Sequence, residues 1–133
     1  MVNFREIVAV SRDAHLRQLE RERTDQSFVE DVMKAVREQV EAEGGSMAVQ
    51  GEWARVSENA TNTFLITFPE NCNVQEVGVT VAGHTSPARS VFMVGPAGRS
   101  PEAAQVEDRA EAVQMVLRYL LDVVKEVKRL RER

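Results

Sequence analysis

Residues 100–131 read SPEAAQVEDRAEAVQMVLRYLLDVVKEVKRLR, and how this stretch folds decides how the chain is organised. Val106, Ala110, Val113, Leu117, Leu120, Val124 and Val127 recur at alternating spacings of four and three, which places them on one helical face. Val116, Leu121, Val123 and Leu130 widen that stripe. So broad a face covers a sheet or lies among other helices rather than forming a narrow two-stranded seam. Ser100 suits an N-cap and Pro101 a first helical position, with Glu102, Glu107, Asp108 and Glu111 in the early turns. Lys125, Lys128, Arg129 and Arg131 fill the last turns, a gradient that complements the helix macrodipole. The expectation is a long helix over residues 100–131 with Leu120 at the centre of its buried face.

Working outward, composition divides the remaining chain. All seven glycines lie between Gly44 and Gly98, whereas segments 1–43 and 100–133 are glycine-free, charge-rich and helical in period. A sheet needs a layer to cover its apolar face, so this pattern reads as one α+β domain over residues 1–133: helical from 1–43, sheet from 46–95, helix from 100–131. A chain of 133 residues is long enough for a real core.

In the first segment Phe4, Ile7, Val8 and Val10 form an apolar patch, followed by the mostly polar His15-Leu16-Arg17-Gln18-Leu19-Glu20-Arg21-Glu22-Arg23. That pattern suits a helix partly free of the core. Thr24, Asp25 and Ser27 offer caps, and Ser27 with Glu30 reads as a capping box, so residues 3–43 form either one helix or, the favoured reading, two segments with a bend near Thr24. Phe28, Val29, Val32, Met33, Val36 and Val40 line its face until Gly44-Gly45 ends it.

After Gly45 the period becomes two. Met47 to Trp53, Phe64 to Phe68, Val77 to Val81 and Ser90 to Val94 read as four strands. Their short connections make antiparallel neighbours the expected arrangement, and Gly51 marks a possible bulge. Trp53, the single tryptophan, is expected to be at least half buried beneath a helix.

The net charge of −4 argues against a protein built to coat nucleic acid. Cys72 is the only cysteine, which excludes an internal disulfide and a thiolate metal cluster. The N-terminal stretch lacks the pattern of a secretory signal and no apolar run is long enough to span a membrane, so the expected location is cytoplasmic or nuclear. His15 and His84 have no metal-ligand spacing. Cys72 would need His84 folded back beside it to serve as a nucleophile. The loop Gly95 to Ser100 joins strand to helix and could hold an anion with Arg99, but its glycine spacing is not that of a P-loop. Asp25, Glu30 and Asp31 complement a helix start.

The expectation is therefore a protein that is no enzyme and uses no cofactor or metal: an adaptor, assembly or chaperone-like subunit that binds a protein partner or itself through its terminal helices. Phe4, Ile7 and Val8 at one end, and Val127 and Leu130 at the other, are the candidate contact residues. The alternative is a nucleic-acid-associated module using Arg99, Lys125, Lys128, Arg129 and Arg131. Glu126 and Glu132 among these cations count against it.

Overall fold

The structure, a computed structural model, describes residues 4–85, 90–97 and 102–131; the side chains of Phe4, Gln18, Arg21, Glu22 and Glu102 lie outside the description. Helix α1 runs Phe4–Ala42 and is followed by strands β1 (Ser46–Val49), β2 (Ala54–Val56), β3 (Asn59–Thr67), β4 (Glu76–Thr85), β5 (Ser90–Pro96) and β6 (Glu102–Val106). Helix α2, Arg109–Arg131, closes the described chain. The strands form one antiparallel sheet in the order β1-β3-β4-β5-β6, with β2 also on β3. The α+β class, the antiparallel sheet and the long helix packed on it are as expected.

The sheet has six strands where four were expected, for two separate reasons. The first expected strand is broken: Val49 pairs with Phe64 and Ala54 with Thr61, so Gln50 to Trp53 face only Asn62 and Thr63. Those extra residues make a bulge at Gly51, and β1 and β2 share one edge of β3. The sixth strand comes from the quoted stretch itself. Residues 102–106 pair with β5, Phe92 opposite Ala104 and Ser90 opposite Val106, so the last helix begins at Arg109 rather than Ser100. Glu-Ala-Ala-Gln favours a helix in isolation. Ladder pairing along β5 and burial of Val106 at 3% exposure outweigh that preference. The cap moves with the boundary: Asp108 Oδ1 accepts from the Glu111 amide at 2.9 Å, and Glu111 Oε2 accepts from the Glu107 amide at 2.8 Å.

The first segment is one helix rather than two. No glycine or proline interrupts Phe4–Ala42, and the candidate caps are engaged elsewhere. The Thr24 hydroxyl donates back to the Glu20 carbonyl at 2.8 Å, and Gln26 donates to Glu30 at 3.1 Å. At the far end Gly44 takes φ 93°, and the amides of Gly44 and Gly45 donate to Glu41 and Val40. That is a Schellman cap, which only glycine adopts without strain at Gly44.

Both helices lie on one face of the sheet. Val29, Val32, Met33 and Val36 of α1 and Val113, Val116 and Leu120 of α2 bury against Phe64, Ile66, Val79, Val81, Phe92 and Val94. Leu120 is thus in the core, as its place at the centre of the helix's apolar face required. Phe28 meets Phe92 edge to face with ring centroids 5.9 Å apart, a favoured aromatic geometry. Trp53 is partly buried against this core and borders a groove with Met33, Lys34 and Arg37 of α1. Close approach of α1 to β4 depends on Gly83, where an added Cβ would lie 2.6 Å from Val29 Cγ2.

Candidate functional site

A helix of 39 residues is about 58 Å long at 1.5 Å per residue. The longest strand, β4, has ten residues and spans about 33 Å. The excess lies at the N-terminal side. Burial in α1 begins at Asp25, and every described side chain from Arg5 to Thr24 is exposed. Residues 4–24 therefore form an arm about 30 Å long beyond the sheet. On it Ile7 is 55% exposed, Val10 69% and Leu16 51%, with Val8 and Leu19 also exposed. Single exposed apolar residues are ordinary, but five within four turns are not.

The arm's root is held by Asp25, which is 1% exposed. Its spacing to Val29, Val32 and Val36 places the carboxylate on the apolar face of α1. Burying a charge there requires partners. Asp25 Oδ1 accepts from the Thr85 amide at 2.7 Å and the Thr85 hydroxyl at 2.8 Å, and Oδ2 pairs with Arg55 Nη2 at 3.1 Å. His84 Nδ1 lies 3.8 Å from Oδ2, and His84 Nε2 lies 3.8 Å from Glu58. One carboxylate thus joins α1 to β2 and to the end of β4. Sequence reading took Asp25, Glu30 and Asp31 as complements to a helix start; the structure corrects this. Asp25 is the buried tie, Glu30 accepts from Gln26, and Asp31 pairs with Arg109 at 2.9 Å, linking α1 to α2.

The two groups of expected contact residues sit at opposite ends of the molecule. Ile7 and Val8 are on the arm, beyond the Thr85 end of β4; Phe4 is helical in backbone, with its side chain outside the described part. Val127 is partly buried and Leu130 exposed on the last turns of α2, where Arg131 borders the turn after β3. At 23 residues α2 is about 35 Å long, close to the sheet's own length. It is α1, not α2, that outruns the sheet.

Lys125, Lys128, Arg129 and Arg131 are exposed on α2, with Arg129 bonded to Glu126; Arg99 lies outside the described residues. The loop after β5 does not lead into a helix: Ala97 donates to Gly78 at 3.1 Å, and the chain continues to β6. The N-terminus of α2 is capped elsewhere, by Asp108. Cys72 sits in a turn, its amide donating to Pro69 at 2.9 Å, beside a depression of about 550 Å³ that Arg131 also borders. It lies beyond the Glu76 end of β4 and His84 near the other end, so roughly 30 Å of strand separates them. His15 is exposed midway along the arm. Burial disfavours the phenolate of Tyr119 and pushes its pKa above the ordinary value.

Sequence reasoning missed Asp25 as an anchor and β6 as an edge. The first left a legible signal, an acidic residue in phase with three buried valines and a methionine. The second left none, because residues 102–106 have a helical composition. Among the described residues no helix is long and apolar enough to cross a membrane. Comparison of the chain with protein-family models, with curated proteins and with solved structures finds no match to any of them.

Proposed function

We propose that this chain is a non-enzymatic interaction protein, an assembly or chaperone-like subunit whose working surface is the exposed half of α1. The observation that supports this reading is the arm itself: a helix continued about 30 Å past its own core, carrying Ile7, Val8, Val10, Leu16 and Leu19 into solvent. Arg5, Glu6, Arg12, Asp13, Arg17 and Glu20 alternate in sign around these residues, which keeps the arm in solution until its apolar side chains are covered. A free helix presenting apolar side chains in this way offers them to a groove or another helix. The alternative, nucleic-acid contact through the last turns of α2, is weakened by Asp122 and Glu126 among its cations and by the net charge.

Removing residues 1–23 tests the reading, because the core begins at Asp25. The expected result is a truncated chain with an unchanged melting temperature that no longer retains proteins cross-linked to the full chain in the native host. A truncated chain that retains the same proteins would overturn the arm as the working surface. Retention of nucleic acid by both chains, lost at moderate salt, would move the function to α2.

A further inference from the structure

We propose that the open edge of β6 is a self-pairing surface, through which two copies of this chain join their sheets antiparallel about a two-fold axis at Ala104. Ala97 donates to Gly78 across the β4–β5 pair, and backbone direction alternates along a strand. The odd-numbered residues of β5 therefore exchange hydrogen bonds with β4, and Ser90, Phe92 and Val94 exchange theirs with β6. Their partners there are Val106, Ala104 and Glu102. Hence the N–H and C=O groups of Ala103 and Gln105 point away from the sheet, and among the described residues no strand meets them.

Edge strands are normally protected by charge, proline, bulges or brevity. The opposite edge of this sheet has such protection, being broken into β1 and β2 of four and three residues. β6 has none at its centre: Ala103, Ala104 and Gln105 are exposed, small or neutral, and in unbroken register with β5. A second β6 laid antiparallel would exchange bonds between Ala103 of one copy and Gln105 of the other, twice over. Ala104 then faces its own counterpart in the closely spaced type of pair, where Cα atoms are about 4.5 Å apart. Alanine permits that approach.

The helix layer fits the same operation. α2 rests on β5 and β6 of the sheet. With strands about 4.8 Å apart, pairing β6 to β6 brings the two α2 axes to about 10 Å, an ordinary helix-packing distance. α1 and α2 run in the same direction on the same face. In α1, Phe28 and Ala35, each preceding a central core valine, lie on the flank turned away from the Arg37 side that meets β1. The equivalent flank of α2 holds Tyr119, which precedes Leu120, and Met115 four residues earlier. Both are only partly buried and would face the second α2. An isologous pairing of strand and helix closes on itself, so the product is a dimer rather than a fibre.

Sedimentation of the full chain across a wide concentration range is expected to show a monomer–dimer equilibrium. Ala103→Pro removes an N–H that points to solvent in the monomer, so the fold tolerates it. The dimer loses that bond twice, and its dissociation constant should rise at least about tenfold. In a Cys72→Ser background, Ala104→Cys should form a disulfide between copies under mild oxidation, since Cα atoms about 4.5 Å apart are within disulfide reach. This second measurement decides the matter if Ala103→Pro disturbs the fold. A chain that sediments as a monomer at every concentration, with Ala104→Cys unlinked, overturns the proposal. So does a dimer indifferent to Ala103→Pro but lost when residues 1–23 are removed, a result that would instead support the arm as the interface.

Discussion

The two halves of α1 share a helix and nothing else. From Asp25 to Ala42 the helix packs on β1, β3 and β4, with Val29, Val32 and Val36 fully buried. From Phe4 to Thr24 it packs on nothing described. The packed half is helical because burying its apolar face rewards the conformation. The arm is helical because it grows from a helix already nucleated, and propagation from an existing turn avoids the cost that makes short isolated helices marginal. Its Arg, Glu, Gln, Leu and Ala residues are also good helix formers. Helical continuity therefore says nothing about where the core ends; the burial of Asp25 does.

The two halves of α1 should differ most in their response to the same substitution. Val32→Asp places an unpaired carboxylate in a site with no exposure and should cost about 4 kcal/mol or more. Val10→Asp, the same change on the arm, should stay within about 0.5 kcal/mol of the parent. Urea denaturation of both measures the contrast, and equal losses would show that the arm is packed after all. Asp25→Ala acts at the boundary. It leaves Arg55 and the Thr85 amide without their carboxylate and should cost about 2–3 kcal/mol; restoration of stability by Asp25→Asn would reveal a hydrogen-bonding rather than an ionic role. The smallest effect needs no substitution. In native-state hydrogen exchange the amides of residues 8–22 should open at a small fraction of the global unfolding free energy, while those of residues 29–40 approach it. Uniform protection along α1 would contradict the division.

Much of this was legible from residues alone, and the failures have physical causes. β3, β4 and β5 announced themselves by alternation, and the Schellman end of α1 by Gly44-Gly45. The core valines of α1 and Val113, Val116 and Leu120 of α2 were visible as apolar rows. β6 was not, because Glu102 to Val106 has a helix-forming composition and only the unfilled side of β5 makes it a strand. Of the two readings of residues 3–43 the single helix holds, because cap-forming side chains can be taken by other partners: Thr24 turns back to Glu20, and Asp25 turns to the sheet. Which of the two helices outruns the sheet was not legible either, because apolar patterning does not reveal it.

The Asp25 tie has a mechanical consequence. It sits near the middle of a rod, with roughly 27 Å of helix clamped on one side and roughly 30 Å free on the other, which makes it the fulcrum about which the free half swings. Rotating the rod by about 10° at that point sweeps its tip through about 5 Å, the height of one helical turn. Arg55 and Thr85, which hold the fulcrum, are residues of the sheet. Substitutions there can re-aim the tip without altering a single side chain on it.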